Sequence, residues 1–158
     1  MRRGAVVALY IAAEAGAPMS AVKRVNAVAG RGLEGDRYHA ERGHYSYHPG
    51  PIREVSLIEA ETFDALRRDH KLELAPGITR RNIVTRGVAL NHLVGREFRV
   101  GAAILRGVKL CEPCQHLVDL TGIAPLLSTL IHRGGLHAQI VVGGLICTDD
   151  NVEDLHSY

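Results

Sequence analysis

NIVTRGVALNHLVGREFRVGAAILRGVKL, residues 82–110, is the stretch of sequence that decides the fold. It contains three runs of strand-forming residues, at Asn82–Thr85, Arg96–Val100 and Ala103–Leu110. Glycines separate or interrupt these runs at intervals of 6–8 residues, at Gly87, Gly95, Gly101 and Gly107. Short strands with regularly spaced turns are typical of barrels, so this stretch predicts the hairpins and tight bends of a β-barrel.

The segments on either side add further strands and a few short helices. Strands are predicted at Gly4–Ala12, at Val22–Ala29 (paired with the first), at Glu54–Ile58, at Leu136–Val142 and at Leu145–Thr148. Helices are predicted at Glu59–Lys71, Gln115–Leu120 and Pro125–His132. The long aperiodic segment 30–50 is predicted to be either a functional loop or a disordered one. We expect a mainly β protein with short helices, one domain over residues 1–148, and a polar, frayed tail over residues 149–158.

The composition excludes several classes of protein. A chain of 158 residues with 46% hydrophobic and 23% charged residues resembles one globular domain, not a disordered or fibrous chain. The 19 basic and 17 acidic side chains give a net charge of +2, which argues against a nucleic-acid partner. No apolar run reaches the length of about 20 residues that a membrane span needs. The start at Met1–Arg3 imitates a signal peptide weakly, and the apolar run after it is better explained as a strand.

The chain has three cysteines, Cys111, Cys114 and Cys147. An odd number of thiols in a chain too large to need disulfides suits a reducing compartment, so we expect a cytoplasmic protein. Cys147 lies in an apolar run and is predicted to be a core residue. The motif Cys111-Glu112-Pro113-Cys114 lies between a predicted strand and a predicted helix, where backbone N–H groups favour a thiolate.

Three interpretations of this motif are open. A dithiol pair has the right spacing, but a thioredoxin-like fold places its motif early, whereas only 44 residues follow Cys114 and no β-α-β pattern precedes it. A structural zinc site needs four ligands, and no second closely spaced pair accompanies this one. The third interpretation is a single working thiolate that binds a soft metal or carries sulfane sulfur. Cys111 is then a small buried side chain.

Several stretches, in this order and spacing, resemble one known family. They are GLEGDRYH at residues 32–39, RNIVTRGV at 81–88 running on to LVG at 93–95, LCEPC at 110–114, and RGGLHA at 133–138 followed by Gly143-Gly144. Together they resemble a stand-alone MOSC domain, the module named after the C-terminal part of molybdenum-cofactor sulfurases. The resemblance extends over nearly the whole chain.

The resemblance implies a MOSC-type β-barrel with one working cysteine, which matches Cys114. In characterised relatives this cysteine is linked to the molybdenum cofactor (molybdopterin with its metal), either as a metal ligand or as a carrier of sulfur. Cofactor sulfurases join the module to a pyridoxal-phosphate desulfurase domain, which this chain has no length for, so no pyridoxal phosphate is expected on it. A separate reductase or cysteine desulfurase is the partner that the resemblance implies.

Other polar residues suit a cofactor that ends in a phosphate. Arginine binds phosphate through two parallel hydrogen bonds, and the candidates are Arg80 and Arg81, with Asn82 and Thr85 beside them and with Arg37. Alternatively, an arginine pair at the start of a strand protects a sheet edge. Asp36 either accepts hydrogen bonds from the pterin ring or closes an Asx turn. His39 and His137 are candidates for lining the site and relaying protons near neutral pH.

Three functions follow from these observations. The first is a protein that binds the molybdenum cofactor through Cys114, as thiolate ligand or persulfide carrier, and that takes part in sulfur transfer or in reduction of N-hydroxylated compounds. The second is a dithiol oxidoreductase that uses Cys111 and Cys114. The third is a binding module without catalysis, whose barrel serves as an interaction surface. The sequence leaves the substrate and the oligomeric state undetermined.

Overall fold

The computed structural model describes residues 4–156 and is mainly β, with 22% of the chain helical. Its strands are β1 (Gly4–Ile11), β2 (Ser20–Val22), β3 (Arg24–Val28), β4 (Gly32–Leu33), β5 (Val55–Glu59), β6 (Ile83–Arg86), β7 (Glu97–Val100), β8 (Ala103–Leu110), β9 (Leu136–Val142), β10 (Gly144–Cys147) and β11 (Asn151–Asp154). Its α-helices are α1 (Ala60–His70), α2 (Gln115–Thr121) and α3 (Leu126–Thr129). Short 3-10 turns lie at Pro51–Arg53, Pro76–Thr79 and Leu90–Leu93. Met1–Arg3, the charged start of the signal-peptide-like stretch, lies outside the described residues.

Seven strands close into a mixed barrel. Around the barrel their order is β1, β11, β7, β8, β9, β5 and β6, and β6 pairs with β1 to complete the ring. Closure leaves no open edge among these strands, which removes the unpaired backbone groups that an edge strand exposes. The barrel predicted from residues 82–110 is therefore confirmed.

The interior of the barrel is filled by alternate residues of its strands. Leu9, Leu57, Phe98, Leu105 and Leu136 are each 0–1% exposed, and they belong to five different strands. Because side chains alternate between the two faces of a strand, one residue in two points into this core. Each such side chain stabilises the fold by roughly 1.5–3 kcal/mol when fully buried.

One connection of the barrel differs from the sequence-based expectation. β5 and β6 run parallel and are hydrogen-bonded neighbours, with α1 crossing between them. This is a β-α-β unit before Cys114, where the sequence analysis predicted no such pattern. The unit was missed because α1 and the strands were recognised singly, whereas the pairing of Leu57 with Ile83 is a long-range contact.

A small three-stranded sheet, β10-β3-β4, packs beside the barrel. The predicted strand Val22–Ala29 was expected to pair with the first strand, and this is wrong for most of its length. Only β2 pairs with β1, while β3 pairs along all of β10 from Arg24 opposite Cys147 to Ala27 opposite Gly144. Lys23 separates β2 from β3, so the chain passes from one sheet to the other there.

The C-terminal segment was also assigned wrongly at residues 151–154. These residues were predicted to belong to a frayed tail, but they form β11, which lies between β1 and β7 and closes the barrel. Val152 supplies the inward-facing side chain and is 1% exposed, between polar neighbours. A four-residue strand with one apolar residue has too little pattern to be recognised without its partners.

The helices fix the segment that carries the two cysteines. α1 and α2 agree with the predicted helices, and α3 is shorter than the predicted Pro125–His132. Leu66 of α1, Leu117 of α2, and Leu126 and Leu130 form one buried cluster, against which Cys114 packs. No helix among the described residues is long and apolar enough to cross a membrane.

Candidate functional site

A cleft of about 230 Å³ lies where β8 ends and the chain continues through the two cysteines into α2. Its ionisable and polar lining comes from several separate segments: the loop before the Pro51–Arg53 turn, the start of β6, the end of β8, the beginning of α2, and β9. These residues are Arg37, Tyr38, His44, Tyr45, Arg53, Ser56, Arg80, Arg81, Asn82, Lys109, Cys111, Glu112, Cys114, His116 and His137.

Cys114 is the half-buried thiol of this cleft. It occupies the position before the first residue of α2 with an extended backbone, and its carbonyl accepts the N–H of Leu117. Its Sγ lies 3.5 Å from the hydroxyl of Tyr45. This contact, together with burial, raises the pKa of Tyr45 to about 12, so the phenol stays protonated over the physiological range. Cys114 is thus held next to a permanent hydrogen-bond donor.

Cys111 is in a different environment. It is 5% exposed, and its N–H donates to the carbonyl of Gly135 at 2.8 Å. Burial raises the pKa of the Cys111 thiol, and the nearby charge of Arg81 opposes this only in part. A buried thiol with a raised pKa is poorly suited to disulfide exchange. Cys147, predicted to be a core residue, is half-buried on β10 and does not line the cleft.

The zinc interpretation finds no support in the described part of the chain. Residues 4–156 contain no group of three or more His, Cys, Asp or Glu side chains placed to hold a metal ion. A structural zinc site takes four such ligands.

The neighbouring arginines Arg80 and Arg81 are used in opposite ways. Arg81 is 8% exposed and donates to three backbone carbonyls, those of Gly134 at 2.8 Å, Thr79 at 3.0 Å and Cys111 at 3.3 Å. Its side chain therefore ties together the segments that frame the cleft. Three of the five guanidinium N–H groups of Arg81 are thus taken up by the backbone, which leaves two for a ligand.

Arg80 is only half-buried, in a left-handed backbone conformation at φ 64°. One guanidinium nitrogen donates to the carbonyl of Ala17 at 2.7 Å, while the other, Nη2, is buried without a partner among the described atoms. Burial, and then the charge of Arg37, lower the pKa of Arg80 from its usual value. Both effects disfavour its positive charge, so an anion in the cleft would stabilise it.

Arg37 and Asp36 form a buried ion pair at 3.0 Å. Asp36 is 1% exposed, accepts the N–H of Ala12 at 3.1 Å, and closes an Asx turn with the N–H of Tyr38 at 3.4 Å. It does not line the cleft, so the Asx-turn alternative describes its place in the structure. Arg37 does line the cleft and also donates to the carbonyl of Arg80.

Asn82 and Thr85 belong to the barrel wall. Asn82 lines the cleft, but its side chain donates to the carbonyl of Tyr10 at 3.1 Å and accepts from the N–H and hydroxyl of Ser56. Thr85 is fully buried on β6, its hydroxyl makes no recorded hydrogen bond, and it does not line the cleft. The Asn82 side chain therefore holds neighbouring segments together, and Thr85 lies in the wall away from the cleft.

The two candidate histidines are separated. His137 lines the cleft from β9, and its Nδ1 is buried without a partner among the described atoms. Burial first, and then the charges of Arg81, Lys109 and Arg53, lower the pKa of His137 to about 4. It is neutral near pH 7, which disfavours the proton relay that we expected of it. His39 lines a separate surface depression.

Sequence reasoning missed several residues of the cleft. Tyr45 contacts Cys114, the guanidinium of Arg53 lies 4.6 Å from the centre of the Tyr45 ring, and His44 stacks on His116 of α2 with ring centres 3.5 Å apart. The aperiodic loop 30–50 was expected to be either functional or disordered, and Tyr45 and His44 lie within it. Lys109 gave no such signal, because a register shift between Gly107 and Lys109 interrupts the alternation along β8.

The charge of the cleft is positive, although the charge of Arg37 is balanced by Asp36. Five cationic side chains line it, Arg37, Arg53, Arg80, Arg81 and Lys109, whereas Glu112 is its single acidic one. A concave surface lined by one sign of charge attracts ligands of the opposite sign. The site as a whole is therefore a thiol in a cleft that favours anions.

Comparison with known proteins agrees with this architecture. YuaD from Bacillus subtilis superposes with a TM-score of 0.80 at 17% identity, over 100% of this chain and 98% of that one. YiiM from Geobacillus stearothermophilus gives a TM-score of 0.74 at 12% identity over 97% and 75% of the two chains, and YiiM from Escherichia coli gives 0.69 at 19% over 100% and 71%. These likenesses show a shared fold. No curated protein matches the chain.

A family model decides the assignment. The model of the MOSC domain matches residues 44–153, which is more than half of the chain and includes Tyr45, Cys114 and His137. The family is known for binding the molybdenum cofactor. The expected MOSC-type β-barrel and the expected family are both confirmed, and the chain belongs to the MOSC domain family.

Proposed function

We propose that this protein binds the molybdenum cofactor, with Cys114 as a thiolate ligand of the metal or as a carrier of sulfane sulfur. The observation that carries the proposal is the position of Cys114 in a cleft with five cationic side chains and one acidic one. A soft thiolate suits molybdenum and sulfane sulfur, and the cations suit the phosphate of molybdopterin.

Two buried polar atoms support the fit of such a group. Arg80 Nη2 and His137 Nδ1 have no partner among the described atoms, and both residues line the cleft. An unpartnered buried donor or acceptor costs about 1–3 kcal/mol, so a ligand that satisfies these atoms gains that much relative to the empty site. Arg80 Nη2 can donate a hydrogen bond to an anion, and His137 Nδ1 can accept one from the ligand.

The volume of the cleft limits how the group is held. About 230 Å³ is below the roughly 300–1,000 Å³ of most ligand pockets. The cleft would therefore hold part of the cofactor, and Tyr45 contacts Cys114 at its border. Arg80 and Arg37 would hold the phosphate, and Arg81 and Asp36 would position the backbone around it.

When bound, the cofactor supplies a metal that can exchange electrons with a substrate such as an N-hydroxylated compound. A separate reductase would provide the electrons. The chain's own residues bind and orient: Cys114 offers its sulfur, Tyr45 keeps a hydrogen-bond donor against that sulfur, and His137 stays neutral as an acceptor. The three free thiols fit a reducing compartment, and we propose the cytoplasm.

The alternative use of Cys114 is sulfur carriage. The Cys114 thiolate attacks the terminal sulfur of a donor persulfide, for example on a cysteine desulfurase. The donor's S–S bond breaks, its thiolate leaves, and the transferred sulfur remains on Cys114 as a persulfide with the proton it carried. No net oxidation or reduction takes place in this exchange.

The experiment measures molybdenum by metal analysis and pterin by fluorescence after oxidation, in protein from cells that make the cofactor. Wild type is compared with Cys114→Ala and with Cys147→Ala, a matched control outside the cleft. Molybdenum and pterin that depend on Cys114 but not on Cys147 support the ligand role. Equal contents in all three proteins refute it.

A second measurement separates the two roles of Cys114. If wild type contains neither metal nor pterin, intact-mass analysis after incubation with a persulfide donor should show one added sulfur on Cys114. The absence of both cofactor and added sulfur contradicts the proposal and leaves the non-catalytic binding module.

A further inference from the structure

A row of polar side chains crosses one wall of the cleft. Lys109 of β8 is opposite His137 of β9, and His137 is opposite Ser56 of β5. Asn82, just before β6, is hydrogen-bonded to Ser56. All four line the cleft, so four neighbouring strands present one polar surface to it.

Arg53 lies beside this row, at the end of the 3-10 turn that leads into β5. Its Nε donates to the carbonyl of His48 at 3.1 Å, and its guanidinium stacks 4.6 Å from the centre of the Tyr45 ring. Among the described residues its two Nη groups make no hydrogen bond. Stacking leaves the edge of a guanidinium free to donate two parallel hydrogen bonds.

No carboxylate neutralises this part of the cleft within residues 4–156. Glu112, the acidic lining residue, is held by His132, whose N–H donates to one carboxylate oxygen at 2.8 Å and whose Nδ1 lies 3.2 Å from the other. The pKa of His137 is lowered by the positive charges of Arg81, Lys109 and Arg53. The electric fields of these three side chains therefore overlap at the His137 ring.

We propose that Arg53, Lys109 and His137 form a subsite for an oxyanion, best fitted by a phosphate group, on the molecule that reacts at Cys114. The inference rests on the proposed function for its last clause. The Arg53 edge suits two phosphate oxygens and Lys109 adds a point charge. Neutral His137 accepts a hydrogen bond from a protonated oxygen, an interaction that a protonated imidazole could not make.

This subsite is distinct from the one formed by Arg37 and Arg80. Those two arginines contact each other and act on His116, at the α2 side of the cleft. Arg53 is joined to Cys114 by the Tyr45 ring, which touches both. The reacting molecule would therefore carry its oxyanion about one aromatic ring away from the sulfur, at a place separate from the group held by Arg80.

In the test, inorganic phosphate is titrated into cofactor-free protein at low ionic strength, and calorimetry measures its dissociation constant. Arg53→Gln is expected to weaken phosphate binding about tenfold or more, the loss of one strong charge-assisted pair. Lys109→Gln is expected to weaken it several-fold. Lys109 is exposed, so we expect this variant to keep the wild-type stability. Lys23→Gln is the matched control, because Lys23 is exposed, lies outside the cleft and loses the same charge.

Each outcome decides the proposal. Binding that is weakened in Arg53→Gln and Lys109→Gln, is unchanged in Lys23→Gln and is not abolished in Arg80→Gln supports the subsite. Three outcomes overturn the proposal. An equal loss of binding in Lys23→Gln would show a nonspecific charge effect, and a loss in Arg80→Gln alone would place the anion at Arg80 instead. Absence of phosphate binding to wild type would show that there is no subsite. Because no molybdenum is involved, failure of the cofactor proposal leaves this result unchanged, and the reverse also holds.

Discussion

The neighbouring arginines Arg80 and Arg81 should differ sharply in what they do for stability. Replacement by Met keeps most of the aliphatic volume and removes the guanidinium. In Arg81→Met three hydrogen bonds to backbone carbonyls are lost at a side chain that is 8% exposed. In Arg80→Met one recorded hydrogen bond is lost at a half-buried side chain.

The magnitudes follow from these contacts. Hydrogen bonds from a charged donor are worth about 1.5–3 kcal/mol each, so three give roughly 4.5–9 kcal/mol. Removal of a buried guanidinium that has no carboxylate partner among the described residues also relieves a desolvation penalty of several kcal/mol. We expect a net loss of about 3 kcal/mol for Arg81→Met. For Arg80→Met, the loss of one such hydrogen bond, about 1.5–3 kcal/mol, is offset by removal of the buried and unpartnered Nη2, which costs about 1–3 kcal/mol, so we expect a net loss of about 1 kcal/mol or less.

The assay is urea unfolding followed by circular dichroism, with both variants beside wild type. With a slope of about 2 kcal/mol per molar urea, the midpoint should fall by about 1.5 M for Arg81→Met and by at most about 0.5 M for Arg80→Met. If Arg81→Met unfolds at the wild-type midpoint and loses only molybdenum, Arg81 binds the ligand directly and our interpretation of its three contacts is refuted.

Two further predictions concern the thiols and His137. Under native conditions iodoacetamide should modify Cys114 much faster than Cys111, because burial raises the pKa of Cys111. Peptide mapping by mass spectrometry measures both rates. Equal rates, or loss of both thiols together on mild oxidation, would favour the dithiol alternative. The pKa of His137 is lowered to about 4, so the unfolded chain takes up this proton at higher pH than the native protein. Stability should therefore fall by up to about 3 kcal/mol as pH drops from about 6.5 to 4, and urea unfolding of His137→Gln should show a smaller fall over that range; the same fall in both would mean that His137 is not the group responsible.

The fold was predictable wherever a local pattern was strong. The strand runs of residues 82–110 and the charged, amphipathic helix α1 needed no partner to be recognised. The errors fall on elements whose identity depends on distant pairing. β11 has one buried apolar side chain, and β3 pairs with β10 about 120 residues along the chain. Nothing within a few residues of either element specifies these partners.

The predictions for the site residues show the same limit, because the sequence gives the type of a residue but not its distant partners. The family resemblance indicated Cys114, and the suitability of arginine for phosphate indicated Arg80 and Arg37; all three line the cleft, and their roles stay predictions. Arg81 and Asp36 were grouped with them because the sequence shows the type of a residue. It does not show which of its hydrogen-bond donors and acceptors already have partners in the fold. In the structure, the side chains of Arg81 and Asp36 make hydrogen bonds to backbone atoms, and these bonds stabilise the segments around the cleft.

The distinction between framing and binding residues also explains why Arg53 and Lys109 escaped attention. Neither lies in a recognisable motif, and each becomes significant only because β5, β8 and β9 are adjacent and bring both charges beside His137. A buried cation that donates to several backbone carbonyls stabilises the fold, whereas a cation with free donors in a cleft lined mainly by cations attracts an anion. By this criterion Arg81 belongs to the first class, and Arg53, Lys109 and Arg80 belong to the second. Ligand binding should therefore depend on the residues whose hydrogen bonds are incomplete in the folded chain, which the sequence motifs do not reveal.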